Sequence, residues 1–390
     1  MERTVTAREK VYPYSELCLR SALPLLTAKQ LLKKVLSLEK IKASFAFLLA
    51  YPYLCSEKKK EEMEKDIRIV YMGTPDFAVA PLKLLLDEGF SVVGVVTMPD
   101  KPVGRHHDTL QASPVKQFAL TKGIPVLQPE KLRDDAFLAD LRSLQADLQV
   151  VVAFRMLPEV VWNMPRLGTF NLHAALLPQY RGAAPINWAI INGDTETGVT
   201  TFFLDHDIDT GRILLQERCP IHETDCAEDI HDRLMDMGAE MVVRTVRLIA
   251  SGQAKAIPQE QFMTDSPLRP APKIFRETCQ IAWNRLTVKQ AYDFIRGLSP
   301  YPAAWTALIA PDGKRLEMKV YRAEYSLEAQ TKPTGTIVTD GRSHLSIVLP
   351  DGLLHLTEVQ LAGKRRMPVA DFLRGTNVEG YRIACAIPNE

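Results

Sequence analysis

The amino-acid sequence predicts an α/β protein in which a doubly wound, Rossmann-like sheet is followed by a small OB-like β-barrel. The first observation is that apolar, β-branched segments such as DIRIVYMG (66–73) and SVVGVVTM (91–98) alternate with helical patterns, which favours a parallel sheet. The second is a segment rich in proline and polar residues at 252–273. The third is that short strand patterns with glycine turns such as PDG follow this segment, which is typical of a small barrel.

Local signals predict the elements of the first part in chain order. The buried strand at 66–73 ends at a glycine, and Thr74 or Asp76 can cap the helix that follows. Gly89 ends this helix, a second strand comes next, and a long turn-rich loop leads to a helix from about Val115. Further strands are predicted in LQVVVAF, GTFNLHAALLP and TGVTTFFLD, and two acidic helices after them. The turn after the first strand lacks a G-x-G-x-x-G pattern, so no dinucleotide is inferred.

These signals divide the chain into four parts. Residues 66–251 are the expected catalytic domain, 252–273 a linker, and 274–390 an OB-like domain. Residues 1–65 are an extension with a basic amphipathic character, and we expect Met63, just before the first strand, to be the natural start. The alternative is that the extension is a transit-like or membrane-surface segment.

Composition and charge exclude several classes of protein. The chain has 390 residues, of which 46% are hydrophobic and 24% charged, as expected for a globular protein with two domains. It has no uninterrupted apolar stretch long enough to cross a membrane. Its six cysteines form no C-x-x-C pair, which argues against a zinc site or a disulfide framework and favours the cytoplasm.

Charge is distributed unevenly between the two domains. Residues 66–250 carry 17 Lys and Arg against 25 Asp and Glu, whereas residues 271–390 carry 16 against 12. This imbalance is compatible with a nucleic acid held mainly by the C-terminal domain, although chance is the simpler explanation.

The segment 168–214 carries the residues with chemical potential. Asn171 and His173 alternate along a predicted strand, so their side chains share one face, and Asp209 lies in the tight turn DIDTG. An amide and a protonated imidazole can stabilise the oxyanion that forms when an amine attacks a formyl carbon. A carboxylate beside the imidazole orients it and helps to move a proton from the attacking nitrogen. The three residues are the candidate catalytic set for formyl transfer between amines, which needs no metal.

Each of these residues, taken singly, has an ordinary structural explanation. An asparagine near a strand end usually caps or turns the chain, a lone histidine is more often structural than catalytic, and Asp209 can form an Asx-turn. Asp205, His206 and Asp207 crowd beside Asp209 and suggest a metal site, but no further ligand spacing supports one. Only the combination of amide, imidazole and carboxylate favours catalysis.

The pattern N-x-H-x-x-x-L-P-x-x-R-G, followed by D-x-D-T-G, resembles the folate-dependent formyltransferases. The resemblance implies that Asn171, His173 and Asp209 are catalytic and that 10-formyltetrahydrofolate is the formyl donor, with no metal. It also implies a folate-binding segment, made of Ala175, Leu176, Leu177 and Pro178. Alanine stands at the first position of this segment, where the family often has serine, so we expect the backbone contacts to folate to remain without the side-chain hydrogen bond of a serine.

Other segments resemble the branch of this family that formylates the methionine carried by initiator tRNA. They are IRIVYMGTPDFAV, the inserted loop PDKPVGRHHDTLQASPVK, and LSPYPAAW and LAGKRRMPVADFL in the C-terminal domain. The resemblance implies methionyl initiator tRNA as partner, tetrahydrofolate as product, and a role in translation initiation. Arg105 of the inserted loop is then a candidate contact to the acceptor stem, although His106, His107 and Asp108 follow it where lysines are common. The candidate phosphate contacts in the C-terminal domain are Lys364, Arg365 and Arg366, and an ordinary solvated loop is their alternative.

We therefore expect a cytoplasmic, monomeric enzyme without a membrane partner. Three alternatives share the same site or fold: a formyltransferase for amino-sugar nucleotides, a 10-formyltetrahydrofolate hydrolase, and a non-catalytic RNA-binding protein.

Overall fold

The computed structural model describes residues 66–103 and 109–384, which lie in one unit of the chain, Glu61–Glu390. The predicted start at Met63 and the candidate tRNA contact Arg105 lie outside the described residues.

A seven-stranded sheet organises the N-terminal part of this unit. Its strands are β1 (Arg68–Gly73), β2 (Ser91–Val96), β5 (Val126–Leu127), β6 (Leu148–Val152), β7 (Thr169–His173), β8 (Glu196–Phe203) and β9 (Ile213–Pro220). The order across the sheet is β5-β2-β1-β6-β7-β8-β9. The first five strands in this order run parallel, whereas β8 and β9 are each antiparallel to the preceding strand. Two short strands of the inserted loop, β3 (Lys101–Val103) and β4 (Thr109–Gln111), pair with each other and form a separate two-stranded sheet.

Helices cover both faces of this sheet, which confirms the doubly wound prediction. They are α1 (Val79–Asp87), α2 (Pro114–Thr121), α3 (Asp135–Ser143), α4 (Glu159–Trp162), α5 (Pro185–Ile191) and α6 (Ala227–Ala250). Buried residues of α1, α2, α5 and α6 pack on one face, and those of α3 and α4 pack on the other. Ser113 caps α2, but neither Thr74 nor Asp76 caps α1.

The prediction of two acidic helices after β9 was wrong, because α6 is one helix of 24 residues. Gly238 lies in its middle, where glycine usually weakens a helix. A Cβ at this position would lie 2.7 Å from a methyl carbon of Leu172 in β7. The glycine therefore brings α6 close to the strand that carries Asn171 and His173, and it does not interrupt the helix.

The C-terminal part is an antiparallel, nearly closed barrel sheet with its own core, which confirms the predicted small barrel. Its first α-helix is α7 (Val288–Gly297), and α8 (Val369–Gly375) follows β15. Its strands are β10 (Ala304–Ile309), β11 (Arg315–Ser326), β12 (Ile337–Thr339), β13 (Leu345–Leu349), β14 (Gly352–Leu361), β15 (Met367–Pro368) and β16 (Arg382–Ile383). The order is β12-β13-β14-β11-β10-β16, and β15 pairs with β14.

The helix α7 also joins this sheet to the N-terminal part. Arg296 is buried and donates from Nη1 to the carbonyl oxygen of Asp225 at 2.8 Å. Asn187 of α5 donates from Nδ2 to the carbonyl oxygen of Gly297 at 2.7 Å. These bonds satisfy buried polar groups on both sides, so the contact between α7 and α5 is specific.

The predicted linker packs along the N-terminal part. Ile257 exchanges both backbone hydrogen bonds with Ile213 of β9, at 2.8 Å each. Farther along, Ala271 pairs in parallel with Gly182. Within the described residues, no helix is both long and apolar enough to cross a membrane.

Candidate active site

The strand β7 places Asn171 and His173 at its carboxyl end, with one residue between them. Phe170 and Leu172 point into the core shared with α6, so Asn171 and His173 project from the other face. Both line the same cavity, and the side chain of His173 is only 6% exposed. This confirms the expectation that the two side chains share one face of a strand.

Asp209 reaches this strand from the turn between β8 and β9. Its backbone has a φ of +54°, a left-handed conformation that few residues other than glycine, asparagine and aspartate adopt. Its Oδ2 accepts a hydrogen bond from the backbone N–H of Gly182 at 2.9 Å and lies 3.8 Å from Nδ1 of His173. The structure thus brings the three predicted catalytic residues together, and the Asp209 carboxylate connects two separate loops.

The imidazole of His173 lies between two oxygen acceptors. Its Nε2 lies 2.9 Å from the backbone carbonyl oxygen of Tyr180, which can only accept, so Nε2 carries a hydrogen and donates it. Nδ1 is then the ring nitrogen that faces the Asp209 carboxylate and the cavity. When the ring is protonated, both nitrogens can donate at the same time, one to Tyr180 and one to a reacting group or Asp209.

Tyr180 holds its carbonyl oxygen in place through an unusual backbone conformation. Its φ is +61°, and its backbone N–H donates to the carbonyl oxygen of Arg269 at 2.7 Å. Its hydroxyl donates to Asp194 at 2.6 Å. Burial raises the pKa of Tyr180, and the bond to Asp194 raises it further, so the hydroxyl stays a donor at neutral pH.

A cavity of about 670 Å³ opens in front of these residues, within the size range of sites for drug-sized ligands. One wall is apolar and comes from the ends of β6 and β8 and from α4. Its residues include Val151, Phe154, Leu157, Trp162 and Leu204. The three candidate catalytic residues line the same cavity and form the part that we call its polar end.

The residues of the predicted folate-binding segment do not line this cavity. Ala174 still lines the cavity, but the next residues leave it, and Ala175 and Leu177 are almost fully buried. The hydroxyl of Thr200 donates to the carbonyl oxygen of Ala175 at 2.6 Å, and Gln216 donates to that of Leu177 at 2.9 Å. Leu176 is half-buried and Pro178 is buried. The segment Ala175–Pro178 therefore lies outside the cavity lined by the candidate catalytic residues.

Arg155 lines the cavity and was missed by the sequence analysis. Its Nη1 donates to the carbonyl oxygen of Glu130 at 2.9 Å, which ties the loop after β6 to the preceding part of the chain. Burial lowers the pKa of Arg155, although a guanidinium remains charged at any physiological pH. A single arginine in the run VVVAFRM gives no pattern by which it could have been found.

The three candidate tRNA contacts in the C-terminal part differ in their surroundings. Lys364 and Arg365 are exposed in the turn between β14 and β15. Arg366 instead donates to Glu358 at 2.6 Å, and its guanidinium carbon lies 4.3 Å from the ring centre of Tyr321. The positive charge of Arg366 is therefore paired with Glu358 within the barrel.

The inserted loop is anchored where it leaves the first domain. Asp100 accepts from Lys116 at 2.6 Å and from Gln128 at 2.8 Å, and the Lys116 bond lowers the pKa of this carboxyl.

Around the cluster Asp205, His206 and Asp207, as elsewhere in the described ranges, no group of three acidic, histidine or cysteine side chains is arranged for a metal ion.

Comparison with known proteins identifies the class of protein that this fold and site define. The sequence model described as Formyl transferase matches residues 67–246, and the model of its C-terminal domain matches residues 273–377. The chain belongs to the formyl transferases, in their two-domain form.

Curated relatives narrow this class. The chain is 64% identical over 313 residues to the methionyl-tRNA formyltransferase of Parabacteroides distasonis, which covers 80% of this chain and 96% of the relative. It is 58% identical over 321 residues to that of Bacteroides thetaiotaomicron, covering 82% and 99%. Within its class, the chain belongs to the methionyl-tRNA formyltransferase family.

Solved structures share the fold at low sequence identity. A sugar 3N-formyltransferase, WlaRD, in the presence of dTDP and 5-N-formyl-THF, superposes with a TM-score of 0.54 at 19% identity, over 77% of this chain and 99% of that chain. HypX from Aquifex aeolicus in complex with tetrahydrofolic acid gives 0.53 at 19%, over 80% and 48%. Both similarities confirm the α/β architecture.

Substitution of Gly182 tests the loop that binds Asp209. Its φ is +129°, and a Cβ there would lie 2.4 Å from the carbonyl oxygen of Ala271. We expect Gly182→Ala to lower the free energy of unfolding by about 2–3 kcal/mol, measured by denaturant titration.

The matched control is Gly252→Ala, because Gly252 also has a positive φ but has open space around its Cβ position. Its φ of +68° lies in the left-handed helical region, which costs an alanine about 1 kcal/mol, and no clash is added. Equal losses in the two variants would show that the contact with Ala271 does not constrain this loop.

Proposed function

We propose that this chain transfers the formyl group of 10-formyltetrahydrofolate to the α-amino group of methionyl initiator tRNA, producing formylmethionyl-tRNA for translation initiation. One observation carries the proposal. Asn171, His173 and Asp209 meet at the polar end of one large cavity, in a chain 64% identical to a methionyl-tRNA formyltransferase.

The cavity suits a folate as formyl donor. A flat, aromatic pterin fits against the apolar wall that includes Phe154 and Trp162, and the formyl group then points to the polar end. Two solved structures with this fold were determined with a folate, WlaRD with 5-N-formyl-THF and HypX with tetrahydrofolic acid. We assign the segment Ala175–Pro178 a supporting role behind the site, since the carbonyl oxygens of Ala175 and Leu177 already accept hydrogen bonds from Thr200 and Gln216.

The chemistry follows from the three side chains. The amine nitrogen attacks the formyl carbon, a C–N bond forms, and the carbonyl electron pair moves onto oxygen. The amide of Asn171 and the protonated Nδ1 of His173 donate hydrogen bonds to this oxyanion. The bond from the formyl carbon to N10 then breaks, and its electron pair goes to N10. The Asp209 carboxylate helps to pass the proton lost by the amine to N10, which releases tetrahydrofolate.

The acceptor explains why no stronger base is needed. The α-amino group of an aminoacyl ester is less basic than a lysine side chain, so it is substantially unprotonated near neutral pH.

We assign the C-terminal domain (274–390) and the inserted loop with Arg105 to tRNA binding, residues 66–251 to catalysis, and 252–273 to their connection. The working enzyme in this proposal is a cytoplasmic monomer that uses no metal.

A transfer assay tests this function directly. The protein is incubated with 10-formyltetrahydrofolate in the presence and in the absence of methionyl initiator tRNA, and formylmethionyl-tRNA and formate are both measured. Formylated tRNA that forms only with the charged tRNA supports the proposal. Formate release without tRNA identifies a hydrolase. If neither sample reacts, an amino-sugar nucleotide is tried as acceptor, and formyl transfer to it identifies a sugar formyltransferase.

Loss of either oxyanion donor should reduce turnover. We expect Asn171→Ala and His173→Ala each to lower kcat by about 10²-fold or more, the scale measured when an oxyanion donor is removed. His222→Ala serves as control, because this histidine is exposed in the N-terminal part and does not line the cavity. Near-normal kcat in both folded site variants would remove these residues from the catalytic set.

The basic turn of the barrel should contribute to tRNA affinity through charge. Each lost phosphate contact lowers the salt dependence of binding, so Lys364→Ala with Arg365→Ala should reduce the slope of log K against log salt by about 2. Arg366→Ala should leave this slope nearly unchanged, since its guanidinium is bonded to Glu358. Filter binding of initiator tRNA at several salt concentrations measures the slope. Identical slopes in the double variant and the unchanged protein would contradict the assignment.

A further inference from the structure

We propose that Gln259, in the segment between the two domains, is a positioning residue for formyl transfer that acts through Asp209. This inference rests on the proposed function. It concerns residues 257–271, which we call the strap, a part of the sequence that showed only the composition of a linker.

The strap reaches the catalytic aspartate through the side chain of Gln259. Nε2 of this amide donates to the backbone carbonyl oxygens of Asp209 at 2.8 Å and Gly211 at 2.9 Å. Both hydrogens of the amide are thereby used on the turn that carries the carboxylate. Gln259 is 2% exposed, so these bonds are shielded from competition with water.

The orientation of this amide is fixed from its other side. Arg181 donates to Oε1 of Gln259, with Nη2 at 2.6 Å and Nε at 3.2 Å. An arginine can only donate, so the amide must present its oxygen to Arg181 and its NH₂ group to the Asp209 turn. Arg181 is itself adjacent to Gly182, whose N–H binds the Asp209 carboxylate.

The Asp209 turn requires such an anchor. Asp205, His206, Asp207 and Ile208, which precede it, are largely exposed, so packing does not fix the path of the chain there. Asp209 has a positive φ, a conformation that persists only where the surroundings hold it. Gln259 bonds the carbonyl oxygens of Asp209 and Gly211, one on each side of Thr210. With the backbone of the turn held in this way, the carboxylate of Asp209 faces His173.

The C-terminal end of the strap fixes Tyr180, whose carbonyl oxygen is the other oxygen that faces His173. The carbonyl oxygen of Arg269 accepts from the N–H of Tyr180 at 2.7 Å, and Ala271 donates to the carbonyl oxygen of Arg181 at 2.8 Å. The strap thus fixes the loop whose carbonyl binds Nε2 of His173 and the turn whose carboxylate faces Nδ1. Of these contacts, the Gln259 side chain is the one that a single substitution removes.

The test is steady-state formyl transfer by Gln259→Met in the full chain. Methionine has similar length and no hydrogen-bonding amide. We expect kcat to fall by about 10²-fold, because a displacement of about 1 Å at a catalytic group has that effect, while KM for the folate stays within about twofold. The matched control is Gln253→Ala, since Gln253 is an exposed glutamine that precedes the strap, and it should retain full activity.

A double-mutant cycle distinguishes positioning from general destabilisation. In an Asp209→Asn background, Gln259→Met should lower the remaining kcat by less than about threefold, because the group through which it acts is already lost. A loss as large as in the unchanged background would overturn the proposal, as would an unchanged kcat in the single variant.

Gln259→Glu covers the case in which the methionine variant does not fold. It keeps an oxygen for Arg181 and loses both donors to the turn, so the same fall in kcat and the same cycle are expected. The unchanged protein is measured in parallel. If it transfers no formyl group, the proposed function fails, whereas an active parent with fully active Gln259 variants refutes only the role of Gln259.

Discussion

The hydrogen bond from the Gly182 N–H to the Asp209 carboxylate is the contact on which the candidate site depends. It joins the loop that follows β7 to the turn that follows β8, at 2.9 Å. Both loops leave the sheet near His173, so this one bond sets the distance between the carboxylate and the imidazole. Gly182 can make the bond because it lacks a side chain where the backbone of Ala271 approaches it.

The rest of the architecture supports this contact from behind. Gly238 lets α6 pack against Leu172, which fixes the strand that carries Asn171 and His173. Asn187 lines the cavity and also binds the end of α7, so the first helix of the C-terminal part touches the wall of the site. Because buried polar groups must find partners, these bonds make the two parts of the chain specific for one arrangement.

Much of this could be predicted from the sequence, for physical reasons that particular residues illustrate. Asn171 and His173 were found because strand periodicity places alternate residues on one face. Asp209 was found because aspartate in a D-x-D-T-G turn is a local signal. The barrel was found because its short strands and glycine turns are local as well.

The remaining features depend on contacts between distant parts of the chain. Gln259 lies 50 residues from Asp209, and a glutamine in a polar segment carries no signal of burial. The single helix α6 was predicted as two helices, and the packing of its Gly238 against Leu172 of β7 cannot be seen in the sequence. The segment Ala175–Pro178 resembles the family's folate-binding segment, yet its burial and its bond to Thr200 appear only in three dimensions.

The most direct test of this account is a crystal structure of the protein with 5-formyltetrahydrofolate, a stable relative of the proposed donor. The account predicts that the pterin lies against the apolar wall of the cavity, near Phe154 and Trp162. It also predicts that the formyl group lies within hydrogen-bonding distance of Asn171 or His173. A folate bound elsewhere, or one in this cavity with its formyl group directed away from both residues, would contradict it.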